Sequence, residues 1–199
     1  MSTNAQRWNR RAFLRIFGLL SLAGPAFLLI GCQNQKAQTS TGPVSQPPAP
    51  RTHVVQMVSD GQGHFFNPDR LRIQTGDRVK WVLQSGIHTS TAYHPQYFDK
   101  PLRIPEKAEV WHSGVLKEIG QSFERRFDVE GVYNYYCTPH QSLGMVGMIV
   151  VGNPLDGPGL MPPPDTMEMG DMMMDGMLYE KEKAKLIELL NWAKQLKSQ

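Results

Sequence analysis

Three side chains near the C-terminal half of the chain carry soft or borderline donor atoms within one short run: Cys137, His140 and Met145, spaced Cys-x2-His-x4-Met. A thiolate, an imidazole and a weak thioether, completed by a second imidazole, make up the donor set that holds copper for electron transfer. The thiolate binds strongly and the imidazoles suit both Cu(I) and Cu(II). A distant axial thioether keeps the site from relaxing to the tetragonal geometry that Cu(II) prefers. The second imidazole must come from elsewhere. His88 is the leading candidate because it follows the strand-like run containing Trp81 and Val82. His53, His64, His94 and His112 compete with it. Each residue also has a plainer role available: Cys137 as a buried thiol, Met145 as core, His140 as a surface group. Their joint spacing favours the metal.

The chain has 199 residues, 40% of them hydrophobic and 20% charged, enough for one ordinary domain with attachments. Residues 1–31 read as an export signal. Arg7, Arg10, Arg11 and Arg15 precede an apolar run, Ile16 to Ile30, that is broken by Gly18, Gly24 and Pro25 and is short for a membrane span. Arg10-Arg11-Ala12-Phe13-Leu14 resembles a twin-arginine signal. Leu29-Ile30-Gly31-Cys32 resembles a bacterial lipobox, in which the cysteine becomes the acylated N-terminus. Acyl chains on Cys32 would anchor the protein to a membrane without a spanning helix. This places the mature protein on the periplasmic or extracellular face.

Removing the signal takes four of the 21 basic residues and none of the 18 acidic ones, so the net charge moves from +3 to −1. The basic balance therefore belongs to the signal and is no argument for nucleic-acid binding. Of the two cysteines, Cys32 is assigned to the lipid, leaving Cys137 without a disulfide partner in a compartment that would permit one. Metal ligation accounts for a lone exported thiol.

Residues 32–51 are rich in Gln, Ser, Thr and Pro and read as a disordered tether. From Thr52 the pattern changes. His53–Val58, Leu71–Gln74, Arg78–Gln84, Ser122–Val129, Val132–Cys137 and Gly147–Val151 are short β-rich runs punctuated by turn residues such as Gly76-Asp77. Many short strands over about 100 residues predict an all-β sandwich. Tyr93 to Glu118, with Pro95, Pro101 and Pro105, predicts a long irregular insertion with room for a short helix. Residues 153–177 form a Pro/Gly- and Met-rich linker. Residues 178–197 predict an amphipathic helix with Leu186, Leu189, Leu190, Ala193 and Leu196 on one face. Its mixed Glu and Lys face suits packing or docking better than a membrane surface.

The stretch Gly131-Val132-Tyr133-Asn134-Tyr135-Tyr136-Cys137-Thr138-Pro139-His140-Gln141-Ser142-Leu143-Gly144-Met145-Val146-Gly147 resembles the C-terminal copper loop of plastocyanin and its cupredoxin relatives. The family pattern there is aromatic-Tyr-Cys-x-Pro-His-x-x-x-Gly-Met. Phe66-Asn67-Pro68, Gly76-Asp77-Arg78-Val79-Lys80-Trp81 and His88-Thr89 fall in the family's order, and His88 to Pro95 is similar to halocyanin-type members. The resemblance covers residues 52–152. It implies a Greek-key cupredoxin β-sandwich, one type 1 copper ion, and the ligands His88, Cys137 and His140 with Met145 axial. It also implies an electron port at the edge of His140, where redox proteins would dock transiently. Pro139 has no N–H and cannot donate to the thiolate. The family often has Asn after the first ligand histidine, bonded near the copper loop; Thr89 stands here instead, so the resemblance does not assign that contact.

The implied role is a membrane-anchored single-electron carrier rather than an enzyme, since six histidines are too few for additional copper centres. The alternative is a copper chaperone or storage protein that uses Met167, Met169, Met172, Met173, Met174 and Met177, because thioethers prefer Cu(I). No fixed ligand geometry is readable in that tract, so an adaptable apolar surface is the preferred reading of it.

Overall fold

A computed structural model describes residues 49–154 and 156–164, the backbone of 168–169, 172–173 and 176–178, and residues 179–196 in full. The export signal, the lipobox with Cys32 and most of the tether lie outside the described residues. So do the side chains of Met167, Met169, Met172, Met173, Met174 and Met177.

Eight strands form two four-stranded sheets. β1 (Thr52–Asp60), β2 (Gly63–Asn67), β3 (Arg70–Ile73), β4 (Arg78–Leu83), β5 (Thr91–Ala92), β6 (Ser122–Arg126), β7 (Gly131–Tyr136) and β8 (Val146–Val151) follow in chain order, and helix α1 spans Gly176–Leu196. One sheet has the order β2-β1-β4-β6 and the other β3-β8-β7-β5. Both are mixed: β1 runs parallel to β4 and β3 parallel to β8, while the remaining pairs are antiparallel. The expected β-sandwich is therefore present.

Period-two alternation places the inner faces. Val79, Trp81 and Leu83 of β4 point inward and meet Val55 and Met57 of β1, with Tyr133, Tyr135, Ile149 and Val151 from the other sheet. Trp81 sits at the centre, its ring near those of Tyr135, Phe123 and Trp111 at centroid distances of 5.3, 5.7 and 6.0 Å. Such aromatic contacts add to the area they bury. The Tyr133 hydroxyl donates to the Val129 carbonyl at 2.6 Å and pins the turn that enters β7.

β7 and β8 are buried at every position, so alternation alone could not keep one face polar. The helix supplies the reason. Val132, Tyr136, Val146, Met148 and Val150 face outward and are covered by Leu186, Leu189 and Ala193 of α1. Lys185 bonds Asp69 at 2.5 Å and Arg70 pairs with Glu188, tying the helix to the start of β3. The helix is thus a packing element of its own domain. Among the described residues, no helix is long and apolar enough to cross a membrane.

Two elements differ from the expected pattern. β2 and β5 were not predicted from sequence, because each is short and gains its order from a neighbour: β2 from β1 and β5 from β7. The insertion from Tyr93 to Glu118 holds no helix among the described residues. Its prolines interrupt helical bonding, and it is held instead by bridges from His112 to Thr91 and from Leu116 to His88.

Candidate metal centre

Cys137 closes β7, and the chain then turns through a short 3-10 segment, Thr138–Leu143, before entering β8. Pro139 suits the first turn of that segment because its missing N–H would have no partner there. Gly144 ends it at φ +88°, a left-handed conformation that costs a side-chain-bearing residue about 1–2 kcal/mol. The loop is closed on itself: Cys137 N–H donates to the Met145 carbonyl at 3.0 Å and Met145 N–H to the His140 carbonyl at 3.2 Å. His88 comes from the opposite direction, after β4, where its own N–H and carbonyl pair with Leu116 at 3.2 and 2.9 Å.

These elements bring three donors together. Nδ1 of His88 lies 3.4 Å from the Cys137 Sγ, Nδ1 of His140 lies 3.5 Å from it, and the two nitrogens are 3.1 Å apart. Bonds of about 2.0 Å to nitrogen and about 2.3 Å to sulfur span edges of about 3.5–3.7 Å around one trigonal ion. The three observed edges approach that triangle, so the residues fit a copper ion. The His88 and His140 rings stand at 65°, which lets their lone pairs converge. Met145 is fully buried at the base of the loop, in the same core as Cys137.

The surroundings keep the donors available. Burial, and then the neighbouring His140 and His64, push His88 down to about 4 against the opposing Ser85 carbonyl, so the ring is neutral at neutral pH. Burial and His64 lower His140 as well. Burial pushes the Cys137 thiol up to about 11, opposed by the N–H groups of Thr89 and His140. A metal ion must therefore displace the thiol proton as it binds.

Thr89 supplies the contact that the resemblance left unassigned. Its hydroxyl accepts the Thr138 N–H at 2.8 Å, and its own N–H points at Cys137 Sγ at 3.4 Å. Thr91 and Thr138 extend this hydroxyl cluster to His112, whose Nδ1 is 2.7 Å from the Thr91 hydroxyl. The thiol is thus held from the His88 side without any donor at Pro139.

Of the competing histidines, only His64 reaches the centre. His53 pairs with Asp77 at 2.8 Å, His112 belongs to the threonine cluster, and Nδ1 of His94 accepts the Gln96 N–H at 3.1 Å. His64, His88 and His140 present ligand atoms within 4.8 Å of one another. His64 nevertheless stacks flat on His140, with centroids 3.7 Å apart and planes 4° apart. Lone pairs in parallel rings do not converge, so these two cannot share one ion. Nδ1 of His64 is instead 2.7 Å from the Ser59 hydroxyl, which lies 3.0 Å from His88 Nε2. Gly86 leaves room for this chain: a Cβ there would stand 2.3 Å from Ser59 Oγ. The supporting role of His64 was not legible in the sequence, since it depends on the β1–β2 pairing that sets Ser59 opposite His64.

Comparison with known proteins agrees with this geometry. The model of the copper binding proteins of the plastocyanin/azurin family matches residues 52–152. The chain is 37% identical over 115 residues to a plastocyanin of Synechococcus sp. (strain JA-2-3B'a(2-13)), covering 54% of this chain and 79% of that protein. It is 32% identical over 100 residues to a halocyanin of Natronomonas pharaonis, covering 49% of this chain and 55% of that one. The fold is shared with the crystal structure of pseudoazurin from Methylobacterium extorquens AM1, with a TM-score of 0.50 at 23% identity over 71% of this chain and 98% of the other. A triangle of two imidazoles and a thiol on a two-sheet sandwich, with the family's model spanning both sheets, leads to one conclusion: the chain belongs to the copper-binding plastocyanin/azurin family of cupredoxins.

Proposed function

We propose that this protein is an exported, membrane-anchored carrier of single electrons, with His88, Cys137 and His140 as strong copper ligands and Met145 as the axial one. Copper, when bound, supplies the one-electron Cu(II)/Cu(I) couple. The observation that carries the reading is the packing of Cys137 Sγ between the two Nδ1 atoms at 3.4 and 3.5 Å inside a buried frame. Each donor sits on backbone held by other elements, so little rearrangement accompanies a change of charge. That rigidity is what an electron carrier needs, and it requires no substrate cavity.

His140 is the half-buried member of the set and offers a route to the surface, whereas His88 and Cys137 are fully buried. Exposed apolar side chains lie close to it in sequence and pairing. Leu143 belongs to the same loop, Ile87 precedes His88, and Val115 precedes the Leu116 that pairs with His88. Such a patch suits brief docking of a redox protein at the His140 edge. The lipid on Cys32 and the tether behind it would hold this face near a membrane while leaving it free to reorient.

The copper-loaded protein is expected to be intensely blue, because the thiolate-to-copper bond gives the colour. Cys137→Ser is expected to abolish that absorption. A colourless protein with one copper per chain would sink the assignment. Loss of membrane retention in Cys32→Ser, scored by fractionation of cells, tests the anchor separately.

A further inference from the structure

The helix that follows the family-matched region carries one residue its packing does not explain. Leu186, Leu189 and Ala193 form the stripe of α1 that covers β7 and β8, and position 182 continues that stripe one turn earlier. It holds a glutamate, 1% exposed. Burying a carboxylate is expensive unless its environment compensates it. Here it accepts the Tyr93 hydroxyl at 2.7 Å and the Gln141 side-chain N–H at 2.6 Å. The buried cations Lys100 and Arg103 act on it electrostatically.

Gln141 follows His140, and its carbonyl accepts the Gly144 N–H at 2.8 Å. The His140 carbonyl accepts the Met145 N–H. Whatever holds Gln141 therefore holds the turn between two proposed ligands. The helix also presses directly on that turn: a Cβ on Gly144 would stand 3.4 Å from the Lys181 carbonyl. We propose that Glu182 is a positioning residue of the metal centre, a buried carboxylate on the C-terminal helix that clamps the loop carrying His140 and Met145 through Gln141. The inference rests on the ligand assignment proposed above. It gives the helix a role in the chemistry of the centre rather than in stability alone.

The test uses the full chain, copper-loaded and metal-free, with Glu182→Ala, Glu182→Leu and Leu189→Ala. Glu182→Leu keeps the apolar stripe continuous and supplies the comparison if Glu182→Ala does not fold. Both Glu182 variants are expected to release copper to a chelator about tenfold faster than the parent and to shift the midpoint potential. Leu189→Ala lowers the thermal midpoint but leaves release and potential at parent values. In the metal-free chains, amide exchange over residues 140–145 accelerates in the Glu182 variants and not in Leu189→Ala. That last readout stands even if the parent binds no copper, in which case the ligand assignment fails while the clamp is still decided. Parent-like release, potential and loop exchange in a folded Glu182 variant, or equal changes in Leu189→Ala, would overturn the proposal.

Discussion

At the scale of single residues, the centre is defined by ring orientation as much as by distance. Three histidines meet: His88 and His140, at 65°, can point lone pairs at one ion, while His64, stacked on His140 at 4°, cannot share that ion with it. His64 is therefore expected to support the centre without joining it. Replacing it with Ala removes a stack of about 0.5–1.5 kcal/mol and should lower stability by that order. It should also leave one copper per chain by elemental analysis, whereas His88→Ala should not. If His64→Ala loses its copper as completely as His88→Ala, His64 is a ligand and the argument from ring planes is wrong. The same scale explains Thr89. An Asn is not needed, because a threonine hydroxyl, given the backbone path after His88, already reaches the Thr138 N–H.

At the scale of elements, the loop works because it is fixed from three sides. β7 delivers Cys137, β8 takes over after Met145, and α1 lies against the turn between them. Gly144 is where these constraints meet, since it must adopt φ +88° beside the helix backbone. Gly144→Ala is expected to cost about 1–2 kcal/mol, measured by urea unfolding of the metal-free protein, and to speed copper release. An unchanged unfolding midpoint would show that the turn can relax without the left-handed residue. Inward alternation in β4 was readable in Arg78 to Leu83 because its outer face is partly exposed. The two buried faces of β7 and β8 were not, since an unbroken apolar run does not say what covers it.

For the molecule as a whole, the sandwich and the helix behave as one body joined by apolar contact and by the charge cluster Asp69, Arg70, Lys185 and Glu188. Partial burial acts to raise the Asp69 carboxyl, but hydrogen bonds and charge from Arg70 and Lys185 outweigh it and hold the group below its ordinary value. The folded state therefore binds this proton less readily than the unfolded chain. The stabilisation is present above the unfolded pKa and is lost as pH falls through the folded one. Asp69→Asn should destabilise the protein by about 1 kcal/mol near neutral pH. The gap between parent and variant should close as pH falls through and below the ordinary carboxylate range in urea titrations. A gap that persists undiminished in acid would mean that Asp69 acts by shape rather than by charge.

What the sequence determined by itself was chemistry that lies close along the chain. Cys137, His140 and Met145 share one loop, so their spacing is legible without a fold. The β pattern is equally local, because alternation is written residue by residue. The tertiary structure decided everything that depends on distant segments meeting. Which of five histidines faces the thiol, the stacking of His64, the substitution of Thr89 for an Asn contact and the burial of Glu182 beneath the loop are settled by strand register and by the docking of α1. No periodicity in the chain encodes those meetings; they arise when apolar faces pack and the polar groups carried with them must find partners.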